Sequence, residues 1–368
     1  MYLKKIVLSN FKNIETANLS FSQKMNCICG ENGEGKTNLL DAIYYLSMTR
    51  SFLSSADQFT YRYGENEAVI NGLYQREDDS EVSIAISVKS EGEKLVKKGG
   101  KAYQRLSEHI GEIPIIVVAP TDIHLISESG EERRKFMNIL LSQTDRRYLV
   151  EMQGYNRLLL QRNKLLKSSY SVELLEAITQ QMAPKADYIH ECRKGLVASI
   201  IDKAKNYYYA ISDGRQEINI EYVSDLFKGD LFTLLSAAQE KERILKYTSA
   251  GIQRDDLNFI MDGYSVKKCA SQGQQKSFLI ALKLAQFDMI KKSLGIPPIL
   301  LLDDLFDKLD YRRIANLIEM ISDEFGQIFI TDTNIQRVGE FVKTGSGNST
   351  FYKVQNGTFQ QLEREDIV

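Results

Sequence analysis

The chain has 368 residues, 43% of them hydrophobic, and sets 47 Lys and Arg against 49 Asp and Glu for a formal net charge of −2. That is enough apolar material for one large or two ordinary globular domains, and the near-neutral balance neither requires nor excludes a nucleic-acid partner. Nowhere do 18 apolar residues follow one another, no apolar run of leader form opens the sequence, and no membrane partner is expected; the expected setting is cytoplasmic.

Taken in chain order, the first thirty residues read as strands, LKKIVLSNF, TANLSF and MNCIC, followed by a glycine-rich turn and the apolar-faced helix NLLDAIYYLSM. From about Asn66 to Tyr103 come EAVINGLYQR and EVSIAISVKS, antiparallel in texture, with a basic hairpin KLVKKGGKAYQR behind them. IPIIVVAP is a buried strand closed by Pro120. From Glu131 to about Ala210 the apolar residues fall at helical spacing, as in Leu149, Met152, Tyr155, Leu158, Leu159, Leu165 and Leu166, which predicts a helical arm broken at Pro184. Residues 145 to 215 hold 12 Lys and Arg and 8 Asp and Glu, a net of +4 that a solvated helix face explains as well as a ligand does. A further helix, DLFTLLSAAQEKERILKY, leads into a C-terminal third whose apolar runs PPILLLDD and QIFITDT alternate with helices as in a mostly parallel sheet. The order predicts an α/β protein with a mixed sheet, split by a mainly helical insertion: residues 1–120, then 121–250, then 251–368.

Cys27, Cys29, Cys192 and Cys269 make no zinc spacing and read as reduced, mostly buried thiols; His109, His124 and His190 are not spaced to share a metal. The strongest chemical signal is GENGEGKT, Gly30 to Thr37, which fits G-x-x-x-x-G-K-[ST] and stands between a short apolar strand and a helix. In that frame Gly30, Glu31, Asn32, Gly33, Glu34, Gly35, Lys36, Thr37 and Asn38 would surround the phosphates of ATP or GTP. Lys36 would lie on the β and γ oxygens, and the Thr37 hydroxyl on Mg²⁺. ILLLDD, Ile299 to Asp304, gains meaning beside such a loop: Asp303 would hold the magnesium through water, and Asp304 would polarise the attacking water. Thr331, Asp332 and Thr333 end the next strand, where a γ-phosphate sensor would lie.

SQGQQ, starting at Ser271, caps an apolar helix and exposes its N-terminus, a place suited to an anion. This turn, ahead of an aliphatic strand ending in acidic residues, resembles the signature motif of ABC-type ATPases. There it implies that Ser271, Gly273 and Gln274 grip the γ-phosphate held by the partner in a head-to-tail dimer. YLKKIVLSNFKNIE, CGENGEGKTNLLDAIYYLS, APTDIHLISESGEERRKFMN, GIQRDDLNFIMDG and LLLDDLFDKLD extend the likeness, in order, to the RecF family of SMC-like ATPases. The resemblance implies an SMC-like ATPase head without the long coiled coil, ATP and Mg²⁺ as cofactors, and DNA as partner. It also implies slow hydrolysis acting as a switch, and work with RecO and RecR to bring RecA to gapped DNA. Asp310 would be the residue of the D-loop, and Lys308 departs from the family's usual pattern at that seam.

For DNA the candidates are Lys94, Lys97, Lys98 and Lys101 in the hairpin and Arg157, Arg162, Lys164 and Lys167 in the arm, set against plain surface solubility. Arg133 and Arg134 lie in a characteristic segment, with DNA contact, nucleotide sensing and internal packing all open. Two other functions remain in view: the nucleotide-binding subunit of a transporter, and a scaffold in which ATP only stabilises a dimer.

Overall fold

The computed structural model describes residues 1–54, 56–168, 171–212, 214, 216–304, 311–343 and 349–363. It divides into two compact units, one of residues 1–122 with 286–368, the other of residues 123–285.

The first unit opens with β1 (Tyr2–Phe11), β2 (Ile14–Ser20), β3 (Met25–Cys29), α1 (Lys36–Met48), β4 (Glu67–Gln75), β5 (Glu81–Lys89), β6 (Lys94–Lys98), β7 (Lys101–Ala102) and β8 (Ile115–Val118). Six of these strands form an antiparallel sheet in the order β2-β1-β4-β5-β6-β7, whose period-two alternation buries Ile6, Leu8, Ile70, Ile84 and Ile86. β3 and β8 join a second sheet. α1 contacts strands of both sheets, so its Leu39, Leu40, Ile43, Tyr44, Tyr45 and Leu46 are all buried and no polar stripe remains.

The second unit holds α2 (His124–Ser127), α3 (Gly130–Thr144), α4 (Arg146–Leu166), α5 (Val172–Ser212), β9 (Ile218–Val223), α6 (Leu231–Ala237), α7 (Gln239–Leu245), β10 (Asp256–Met261), β11 (Tyr264–Ser265) and α8 (Val266–Cys269). α9 (Gln272–Leu294) begins in this unit and ends in the first. α4 and α5 form an antiparallel hairpin: Tyr188 donates to Asp145 at 2.7 Å, Lys185 meets Glu151 at 2.8 Å, and Arg162 donates to Thr179 at 3.1 Å.

Pro184 does not break the arm. It lies inside α5, which runs unbroken for 41 residues. Proline forfeits one rung of the helical ladder, a loss of ~3 kcal/mol in an isolated helix, and here α5 packs against α4 around the proline, with Met182, Ala186 and Ile189 fully buried. The second boundary also moves. The sequence returns the chain to the first domain at 251, but β10 pairs with β9 and β11 in a three-stranded sheet of the second unit, and the return comes at 286.

The chain then completes the first unit with β12 (Ile299–Leu302), α10 (Tyr311–Glu324), β13 (Ile328–Asp332), α11 (Ile335–Lys343), β14 (Ser349–Gln355) and β15 (Thr358–Leu362). The second sheet has the order β15-β14-β3-β13-β12-β8, parallel except for β15. β3, β12 and β13 are buried along their whole length, as strands of a covered parallel sheet must be. Because they are parallel, the turn after β3, the acidic end of β12 and the end of β13 emerge on one edge, with β13 in the middle. Gln327 ties the two sheets together, accepting from Leu3 N–H and donating to the carbonyls of Leu3 and Ser22, each at 2.8 Å.

Candidate nucleotide site

The turn from Gly30 to Gly35 wraps the N-terminus of α1. Gly33 and Gly35 take left-handed backbone, at φ 87° and 113°, which a side chain disfavours. A Cβ on Gly35 would stand 2.9 Å from the Asn13 amide oxygen, and one on Gly30 would stand 2.5 Å from the carbonyl oxygen of Val354. Glu31, Asn32 and Gly33 are exposed at the mouth of the turn, while Lys36 is buried. The Lys36 ammonium donates to the carbonyls of Gly30 and Glu31, at 2.7 Å each, and so lies folded inside the loop. A bound phosphate would compete for that ammonium and for the unpaired N–H groups of the helix start.

The acidic strand end lies against the same turn. The Thr37 hydroxyl contacts Asp303 Oδ1 at 2.9 Å and Oδ2 at 3.0 Å, and Thr331 donates to Oδ1 at 2.7 Å. Burial pushes the Asp303 carboxyl above its ordinary range, against the opposing pull of the Thr331 and Thr37 hydroxyls; Asp304 adds to the rise and Lys36 opposes it. Asp304, half-buried, has φ 44°, left-handed for a residue with a side chain, and its N–H donates to Thr331 Oγ1 at 2.9 Å. The next residue along β13, Asp332, is fully buried; its carboxylate takes both oxygens' worth of the Arg337 guanidinium, at 2.7 and 2.6 Å, and its carbonyl accepts from Gly30 N–H at 3.2 Å. Cys29, at the end of β3, is pushed up to about 12 by burial first and by Asp332 second, so it stays a neutral thiol.

In the second unit, Ser271 and Gln274 form a reciprocal capping box at the start of α9: Gln274 N–H donates to the Ser271 hydroxyl at 3.3 Å, and Ser271 N–H to the Gln274 side-chain oxygen at 2.7 Å. Ser271 and Gln272 are exposed, and the first turn holds no acidic residue. Gly273 is the second residue of the helix. Asp310 and Lys308 lie outside the described residues.

Comparison with known proteins bears on this arrangement. The family model described as RecF/RecN/SMC N terminal domain matches residues 2–358. A curated protein of Azobacteroides pseudotrichonymphae, "DNA replication and repair protein RecF", is 42% identical over 367 residues, covering 98% of this chain and all of its own. The protein of that name from Bacteroides fragilis is 37% identical over the full length of both.

The chain belongs to the RecF family.

Among solved structures, the recombination mediator protein RecF with ATP, of the RecFOR pathway, superposes with a TM-score of 0.87 at 28% identity, covering 98% of this chain and 99% of that one. The Smc head domain of Pyrococcus furiosus, at 16% identity and a TM-score of 0.59, shares the fold. RecF-type and SMC-type heads thus share the fold described above, mixed sheets with helical regions.

The basic residues of this RecF-family chain separate by environment. Arg162 is no surface contact. It is 1% exposed, its guanidinium bonds Glu242 at 2.6 Å, Thr248 at 2.9 Å and Thr179 at 3.1 Å, and Glu242 is itself fully buried. Its place on the buried stripe of α4, four residues after Leu158, could have marked it as internal. Arg157, Lys164, Lys167 and Lys101 are exposed; Lys97 is half-buried. Lys98 pairs with Glu112 at 2.5 Å and Lys94 with Asp57 at 2.8 Å, so part of the hairpin's charge is already spent. Arg133 packs internally: it is buried and clamps Asp256 at 2.5 and 3.0 Å while donating to the carbonyls of Leu125 and Glu128. Arg134 donates to the Asp255 carbonyl at 2.9 Å.

Asn13, which no local motif marks, also belongs to this turn. Its side chain accepts from Asn38 at 2.7 Å and donates to the Glu34 carbonyl at 3.3 Å, bracing the phosphate turn from the β1–β2 loop. From the other side Gly357 N–H donates to the same carbonyl at 2.8 Å, and Asn356 N–H to the Glu34 carboxylate. Asn356 and Gly357 both have positive φ, as an Asn-Gly hairpin turn between β14 and β15 requires. That dipeptide was a readable signal for the hairpin, though nothing local says that it reaches residue 34.

Among the described residues no helix is long and apolar enough to cross a membrane.

Proposed function

We propose that this chain is an ATP-dependent DNA-binding protein of recombinational repair and replication, in which ATP drives a head-to-tail dimer and slow hydrolysis releases it. The observation that carries the reading is the convergence of Thr37, Asp303, Asp304 and Thr331 at one edge of the parallel sheet, joined by hydrogen bonds, beside the turn into which Lys36 folds. Loop N–H groups and Lys36 would bind the triphosphate, with Gly30 to Asn38 around it. Thr37 and Asp303, hard oxygen donors 2.9 to 3.0 Å apart, fit Mg²⁺. Bound there, the ion would neutralise charge on the phosphate oxygens. Asp304 would orient water and take its proton, and its short reach suits a timer better than a fast turnover engine.

Completion of the site would come from a second copy. Ser271, Gly273 and Gln274 stand at the exposed start of α9, where the macrodipole and backbone N–H groups favour an anion. The solved RecF relatives bear on partners by their own description as recombination mediators of the RecFOR pathway; here the corresponding partners would be DNA, RecO- and RecR-type mediators, and RecA indirectly. Exposed Arg157 and Lys101 and half-buried Lys97 would meet phosphates without reading bases. Membrane partners and a transporter role find no support in these features, and the expected location stays cytoplasmic.

The deciding experiment is solution mass by light scattering, with and without ATP and Mg²⁺, for the native chain and Ser271→Arg, with duplex DNA binding followed on the same samples. Mass should double with ATP for the native chain and DNA binding should strengthen. Ser271→Arg should bind nucleotide as before but remain monomeric. A mass that never changes would reduce the SQGQQ turn to a helix cap and end the dimer reading.

A further inference from the structure

Thr331 makes two bonds that no other hydroxyl of the site makes together. Its Oγ1 donates to Asp303 Oδ1 at 2.7 Å and accepts from Asp304 N–H at 2.9 Å. A hydroxyl has one proton. Since the N–H of Asp304 can only donate, that proton belongs to the bond with Asp303, and both acidic residues lean on one buried oxygen. Asp304 needs such support, because its φ of 44° is a left-handed conformation that costs on the order of 1 kcal/mol or more for a residue with a Cβ.

Thr331 is itself held from several directions. It is fully buried and lies in register with Ile28 of β3, while its neighbour Ile330 pairs with Leu302 of β12. The adjoining Asp332 is bound through its carbonyl to Gly30 N–H and through its carboxylate to Arg337 and to Asn334 N–H at 2.7 Å. The hydroxyl therefore cannot wander without dragging the phosphate turn along. Thr37, which also touches Asp303, differs in one respect: its lone pairs, free while it donates to the carboxylate, would be taken up by the cation. Thr331 has no such second task and can hold Asp303 throughout.

We infer that Thr331 is the positioning residue of the hydrolytic site, a buried hydroxyl that fixes Asp303 for the cation and Asp304 for the water without touching nucleotide. The inference rests on the nucleotide reading above.

Thr331→Val and Thr331→Ser test it. Val keeps the shape and loses the hydroxyl, whereas Ser keeps the hydroxyl. Three quantities should be read on each: affinity for a fluorescent ATP analogue without Mg²⁺, the gain in that affinity on adding Mg²⁺, and the single-turnover rate of phosphate release. Thr331→Val should keep the metal-free affinity, lose the Mg²⁺-linked gain, and slow phosphate release roughly 10- to 100-fold, the loss expected for one hydrogen bond to a charged group. Amide hydrogen exchange in the peptide carrying Asp304 should quicken in the same variant. Thr331→Ser should restore all of these. A Val variant that matches the native chain overturns the inference, and so does one in which metal-free binding falls in step with everything else, since that marks a merely structural strand end. If the native chain binds no nucleotide at all, the functional reading falls and takes this inference with it.

Discussion

Asp304→Asn is expected to slow ATP turnover by about 10²- to 10³-fold, the usual worth of a positioned general base, while nucleotide binding and ATP-dependent mass stay as they are. Asparagine is the informative replacement because of the backbone. At φ 44° most side chains would strain the turn, but Asn tolerates left-handed geometry as well as Asp does, so the N–H bond to Thr331 survives. What disappears is one negative, proton-accepting oxygen. Steady-state phosphate release and single-turnover assays should both show the loss, and DNA complexes formed with ATP should persist longer. Normal turnover by the Asn variant would mean that Asp304 is only the end of a strand. A scaffold that merely uses ATP as glue would lose turnover yet keep its cellular function; a switch would fail to recycle.

The largest loss of stability is expected in the second unit, from Arg193→Met. Arg193 is 1% exposed and bonds Asp255 at 2.5 Å, the Ile252 carbonyl at 2.8 Å, Asn138 at 3.1 Å and the Tyr148 hydroxyl at 3.2 Å. Burial works against its charge, but Tyr148, Asp255 and Tyr222 outweigh burial and raise its pKa. Removing the guanidinium strands the Asp255 carboxylate, fully buried, with Tyr222 as its remaining donor among these groups. Breaking such a pair costs about 3 to 5 kcal/mol. The chain has no tryptophan, so urea unfolding is best followed by far-ultraviolet circular dichroism, to which the helices of this unit contribute heavily. Arg193→Met with Asp255→Leu should recover much of the loss. A double variant no better than the single would show that Arg193 acts through packing and its other bonds.

The glycine turn and the acidic strand end were readable as structure because each is a local pattern: glycines between strand and helix, and aliphatics running into carboxylates. The helix cap at Ser271 was readable for the same reason, since Ser-x-x-Gln is a capping box by spacing alone. What sequence could not supply was partnership at long range. Arg162 and Arg157 look alike in the string, yet one finds Glu242 eighty residues on and the other finds solvent. Arg133 and Arg134 were ambiguous until Asp255 and Asp256 closed on them. Pro184 stays inside a helix because packing, which no propensity contains, overrides it. The second boundary is hidden because RDDLNFIMDG reads as a strand without saying which sheet it joins.

The helical hairpin has one further property. Its two internal arginines lie far apart along it, Arg193 near the end where α4 begins and Arg162 near the end where α4 stops, and each is bonded to carboxylates from the segment 242–255. The hairpin is therefore riveted to its own unit at two levels by charges that cannot be bared cheaply. A free-standing coiled coil bends and swings like a rope. This one is built as a wall, pinned at both levels to the segment that follows it.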